Sequence, residues 1–91
     1  MARLKALENA GGHSAAITAD GVVVGGITLT GKGIYSVDTK GSIPAIDGIS
    51  GGSPRDAWDN VVQRIQAGGV VYHDAVHIGP YEDAQGDSIG P

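Results

Sequence analysis

Apolar residues fall at helical spacing in one stretch of this 91-residue chain. Trp58, Val61, Val62 and Ile65 recur three and four apart, which gathers them on one face of a helix. The ends of that stretch carry start and stop signals. Ser53 is a capping residue, Pro54 suits the first turn, Asp56 follows the cap by three positions, and Gly68-Gly69 closes the element. The pattern predicts an amphipathic helix over residues 54–67. Its other face carries Arg55, Asp59, Asn60, Gln63 and Gln66, a solvated set in which Arg55 and Asp59 are spaced for an i,i+4 ion pair.

Elsewhere the pattern shortens to alternation and brief Val/Ile runs between glycines. Ala15 to Thr18 and Val22 to Val24 flank Asp20-Gly21, a pair that tolerates positive φ and predicts a tight hairpin. Gly25-Gly26 predicts a bulge or sharp bend before Ile27 to Thr30. Gly31-Lys32-Gly33 is a second turn, Ile34 to Val37 a further strand, and Asp38 to Gly41 another turn. Pro44 argues against a central strand over Ile43 to Ile49, so that segment reads as an edge or a loop tucking Ile43, Ile46 and Ile49 inward. Val70 to Tyr72 and Ala75 to Ile78 read as strands after the helix, with Gly79-Pro80 ending regular structure. Ala2 to Asn9 fits two turns of helix or an extended arm.

The expected class is α+β: a small Gly-rich antiparallel sheet or partial barrel of 4–6 short strands, with one helix packed on it. Residues 1–12 form an arm or short helix, 13–78 the domain, and 79–91 an acidic tail. Trp58, Val61, Val62 and Ile65 are the expected packing residues.

Composition narrows the support available to such a domain. The chain has no Cys and no Phe, and one Trp, so its core must come from aliphatic side chains without a disulfide or Cys-based zinc site. Small domains lacking those supports often rely on association. The net charge is −4. Asp74, Glu82, Asp83 and Asp87 carry that excess, and residues 1–67 balance. No basic cluster exists, which argues against a nucleic-acid partner. No apolar run reaches the length of a membrane span or of a signal-peptide core, so synthesis in the cytoplasm and no membrane partner are expected.

Candidate chemistry is sparse. His73 and His77 flank Asp74, but residues four apart on a strand lie roughly 13 Å from each other, too far for one small ion. His13 reads as a loop residue. Gly31-Lys32-Gly33 lacks the spacing and the following helix of a phosphate loop. Ser14 beside His13, or Ser53 with His73 and Asp74, has no nucleophile-elbow context. Asp83 and Asp87 with Glu82 lack the alternating oxygen ligands of a calcium loop. No catalytic, cofactor-binding or metal residue is assigned.

The run W-x-x-V-V-x-x-I-x-x-G-G-V-V (Trp58, Val61, Val62, Ile65, Gly68, Gly69, Val70, Val71) follows short Gly/Val/Thr strands. In this texture the chain resembles small structural proteins of tailed-bacteriophage virions: capsid-decorating, head-completion or tail components. The resemblance covers about the last 40 residues and implies a virion location. Composition points the same way, to a non-enzymatic protein that works in multiple copies with itself or another structural protein. On that reading Arg3, Lys5, Glu82, Asp83 and Asp87 are the candidate partner contacts. The acidic tail would lie on a basic patch of a neighbour, and residues 80–91 would be dispensable for folding. A small binding or regulatory module of antitoxin or adaptor type is the alternative, and an enzyme or metal protein a third class.

Overall fold

A computed structural model describes residues 2–66, 76–82 and 88–89. The element order is β1 (Ala2–Glu8), β2 (Ala15–Ala19), β3 (Val22–Gly31), β4 (Ile34–Asp38), β5 (Ser50–Gly51), α1 (Pro54–Gln66), β6 (Val76–Glu82) and β7 (Ser88–Ile89). The class is α+β. One sheet, ordered β5-β4-β3-β2-β1-β6-β7, curls as a half-barrel around the helix. It is mixed rather than antiparallel, because β1 and β6 run parallel. The expected strand over Val70 to Tyr72, the Gly68-Gly69 stop, His73 and Asp74 lie outside the described residues.

The hairpin turns where the sequence says it should. Ala19 pairs with Val22, and the two residues between them, Asp20 and Gly21, have φ of 51° and 83°. Two positive φ values in a two-residue loop give the turn whose twist matches the strands. The expected break at Gly25-Gly26 is a bulge and nothing more. The register slips by one residue between Ile17 and Thr18, and β3 continues through to Gly31 as a single ten-residue strand. Gly25 is required by what crosses it. A Cβ there would lie 2.3 Å from the Asp38 carbonyl oxygen, because the chain leaving β4 passes directly over it.

The N-terminal segment corrects the expectation of an arm or short helix. Residues 2–8 form β1, a strand near the middle of the sheet, between β2 and β6. Leu4 and Ala6 are fully buried, and Arg3 and Leu7 face outward. The pattern has period two at the inner positions. Helix-forming residue types take a strand here because two neighbouring strands supply ladder bonds that eight isolated residues could not supply for themselves.

The other end is corrected too. Gly79-Pro80 does not end regular structure. It is a bulge inside β6: Leu4 pairs with Ile78 but Ala6 pairs with Tyr81, so β6 carries one extra residue. A bulge tolerates the missing Pro80 N–H. It also sets the Gly79 carbonyl to accept the Trp58 indole N–H at 3.0 Å. Tyr81 is 2% exposed and belongs to the core, so residues 79–82 are part of the domain and not of a tail.

The helix starts as read, with the Asp56 N–H donating to the Ser53 hydroxyl at 3.0 Å. Trp58 and Val61 are buried with Pro54 and Ala57, and Val62 and Ile65 pack half-buried against the same core. Ile17, Ile27, Val37, Ile43 and Ile46 meet them from the sheet and from the 39–49 loop. That loop is held by Asp47. Its carboxylate accepts from the Thr39 N–H (2.7 Å), the Thr39 hydroxyl (2.6 Å) and the Gly41 N–H (3.2 Å).

Candidate interaction surface

Cross-strand partners in register share a face of a sheet, so the ladders assign each strand residue a side. Leu4, Ala6, Ala15, Ile17, Ile27 and Val37 lie on the side covered by the helix. The opposite side can be followed across five strands. Asp38 pairs with Gly26, Gly26 with Ala16, Ala16 with Leu7, and Leu7 with Glu82. At the usual strand spacing this row runs roughly 19 Å. Its middle is small and uncharged, and a carboxylate stands at each end. A flanking row holds Val23, Thr18 and Lys5, and on the other side Thr28 pairs with Ser36.

No described element covers this outer face. Val23 is 65% exposed and Leu7 36%. A depression of ≈ 370 Å³ opens where β4 ends and β3 runs on, lined by Val23, Val24, Gly25, Gly26, Thr28, Asp38 and Lys40. The Asp38 carboxylate accepts the Lys40 N–H at 2.8 Å, which holds the rim. Thr18 is 8% exposed, and its hydroxyl is the one buried side-chain polar atom without a hydrogen-bond partner among the described residues.

The residues expected to touch partners separate. Lys5 and Glu82 meet each other at 3.1 Å across the β1–β6 pair and form an ion pair within the chain. Arg3 is exposed, with its backbone N–H donating to Asp20 at 2.8 Å. Asp83 and Asp87 lie outside the described residues. The Arg55–Asp59 pair does not form; Lys5–Glu82 is the ion pair found among the described residues.

The residues weighed for chemistry fill structural roles or stand apart. Ser53 caps the helix, the Ser14 hydroxyl accepts from the Asn9 amide at 2.6 Å, and His13 is exposed in the β1–β2 connection. Among the described residues no group of three or more His, Cys, Asp or Glu could hold a metal ion, and no helix is long and apolar enough to cross a membrane. Two partly buried polar sites went unread in the sequence. Three donors, the Thr39 hydroxyl foremost, hold the Asp47 carboxyl below its ordinary value of 3.8. Tyr81 donates to Glu8 at 2.7 Å, and burial together with that carboxylate pushes its phenol well above the ordinary value of 10.0. Both sites brace the fold, one under the loop and one between β1 and β6.

No protein family, curated protein or solved structure matches this chain.

Proposed function

We propose that this protein is a non-enzymatic structural protein that acts in multiple copies within a larger particle, of the kind represented by the small virion components of tailed bacteriophages. The observation that carries the reading is the outer face of the sheet. An antiparallel sheet can leave one face to water, but such a face then reads as polar. Here the central row is Gly26, Ala16 and Leu7 with a carboxylate at each end, Val23 and Thr18 flank it on β3 and β2, and the charges of Arg3 and Lys5 are gathered on β1. A face of that composition suits contact with another protein surface. Low charge at the centre and polar groups at the rim are the usual anatomy of a contact patch.

Residues 2–8 and 79–82 are strands of the domain's own sheet, so they are not free arms that would need a neighbour to hold them. Support rests on the exposed face alone. The test is the mass of the full chain in solution, by native mass spectrometry and sedimentation across a wide concentration range. A distribution of multimers that grows with concentration is expected. A lone monomer that captures one cellular protein in fixed ratio would replace this reading with that of a small binding module.

A further inference from the structure

The depression beside Gly25-Gly26 is more than a dent in the face. It marks an incomplete sheet edge. β4 pairs with β3 from Gly31 back to Gly26 and stops at Asp38. β3 extends four residues beyond, to Val22, paired with β2 on one side only. Among the described residues nothing pairs with its other side.

The ladder says which backbone groups are free there. In a two-residue hairpin the residues flanking the turn exchange hydrogen bonds, and here they are Ala19 and Val22. The next residue therefore turns its N–H and C=O the other way. That residue is Val23, opposite Thr18. Its donor and acceptor both aim at the open edge. Val22 and Val23 are each 65% exposed and lie on opposite faces, and Val24 follows. Protein edges of this kind are normally guarded by Lys, Pro or an inward charge. Val22-Val23-Val24 contains none of these, and the one guard present is the bulge at Val24, the extra residue between Val23 opposite Thr18 and Gly25 opposite Ile17. The neighbouring flank of β4 is closed: β5 covers Tyr35 and Ser36, and the Val37 N–H and C=O bond to Ile49 and Gly48.

We infer that this edge takes the same edge of a second copy, in antiparallel two-fold register centred on Val23, so that the two sheets join through β3. The inference deepens the multi-copy reading and rests on it for its biological setting. One residue with both backbone groups outward is what a two-fold hydrogen-bonded pair needs at its centre: each Val23 donates to and accepts from its counterpart. The extent is limited by shape. Pairing runs over Val22 to Val24, because the position opposite Gly26 is already filled by Asp38. The partner chain leaves at its own Asp20-Gly21 turn. This brings Asp20 of one copy to the end of the notch where Asp38 and Lys40 stand in the other, so each Asp20 meets an opposite charge with a like charge beside it.

Three residues a side bury well under the roughly 800 Å² per partner of a stable free dimer. The contact is weak alone and gains from high local concentration within a particle.

Val23→Pro removes an N–H that the domain itself does not use, at an edge position where Pro is tolerated. Val23→Lys adds a guard while keeping the N–H. The measurement is self-association by sedimentation for wild type and both variants. Circular dichroism serves as the folding control, and exchange of the Val23 amide is followed at low and high protein concentration. Expected are at least tenfold weaker association in both variants, unchanged folding, and a Val23 amide that becomes protected only when wild type associates. Association unchanged in both folded variants, with Val23 exchanging freely, overturns the inference and leaves the multi-copy reading standing. A wild-type dimer that never grows, lost in both variants, upholds the edge pairing and overturns the multi-copy reading. A wild-type chain that stays monomeric throughout overturns both.

Discussion

The two faces of the sheet are built from the same strands and obey different rules. On the inner face Leu4, Ala6, Ala15, Ile17, Ile27 and Val37 are apolar and buried, and Trp58, Val61 and Ile46 belong to the same core. The outer face alternates with it residue by residue, yet its centre is small and uncharged rather than charged. The inner face explains why the chain folds. The outer face carries the residues that folding alone does not explain. Substitutions should therefore cost much stability when they fall inside and little or none when they fall outside, and five variants test that contrast.

The largest effect is expected on the inner face. Trp58 is 1% exposed and ties the helix to the β6 bulge through its indole N–H. Truncating a buried aromatic costs about 3–5 kcal/mol. A single domain has about 5–15 kcal/mol in all, and a small one sits at the low end. Trp58→Ala should lose its thermal transition or melt far below wild type. Unchanged melting would remove the helix from its place as cover of the core.

Adjacent glycines offer the sharpest contrast between the faces. A Cβ on Gly25 would strike the backbone of Asp38 and Thr39, at 2.3 and 2.6 Å. A Cβ on Gly26 meets only the Ala15 carbonyl oxygen, at 3.1 Å. Neither backbone obstacle over Gly25 can swing away, so Gly25→Ala should cost about 2–4 kcal/mol, in the range of severe steric defects. Gly26→Ala should cost under about 1 kcal/mol while partly filling the outer row. Urea titrations of the pair measure the difference. Equal losses would mean that the chain after β4 does not cross Gly25.

This contrast also shows how far the sequence could be read. The helix was legible because cap and periodicity agree over Ser53 to Ile65. The Asp20-Gly21 hairpin was legible because its turn chemistry is local. β1 was not, because Ala2 to Glu8 has helix-forming residues and becomes a strand only when β2 and β6 lie beside it. Gly79-Pro80 misled for a related reason: as a dipeptide it signals an end, and only pairing with Leu4 and Ala6 makes it a bulge. The outer row was invisible in one dimension. Asp38, Gly26, Ala16, Leu7 and Glu82 come from five strands, and no local pattern links them. Lys5 and Glu82, expected on a partner, are 77 positions apart in sequence and meet through the parallel pair.

Asp47 gives an intermediate effect with a pH signature. Its carboxyl is held below the ordinary 3.8 by the Thr39 hydroxyl and by two backbone N–H groups. A depressed folded-state value means that the anion is preferred in the folded chain. The contribution is therefore full well above 3.8 and is lost as pH falls through the lower folded value. Asp47→Asn retains one acceptor oxygen and loses the charge. At pH 7 it should be less stable by roughly 1–2 kcal/mol, within the range for hydrogen bonds to charged groups discounted for partial exposure. The gap between the two proteins should close as the pH is lowered below 3.8. A gap constant from pH 7 to pH 3 would show that the carboxylate charge does not hold the 39–47 loop.

The smallest effect belongs to the outer face and has the opposite sign. Thr18 lies in the flanking row between Lys5 and Val23, nine-tenths buried, with a hydroxyl that finds no partner among the described residues. An unsatisfied buried hydroxyl is a cost, and a methyl group of the same shape removes it. Val also suits a strand at least as well as Thr. Thr18→Val should therefore raise stability by about 0.5–1 kcal/mol, a rise of a few degrees in Tm for a domain of this size. Because Thr18 sits one strand in from the β3 edge, the same variant should leave self-association unchanged. Chemical denaturation and sedimentation on one preparation measure both. A loss of stability would show that the hydroxyl is bonded. A loss of association without a loss of stability would move Thr18 from the domain's own packing to the contact surface, and would extend that surface inward from the valine edge toward Lys5.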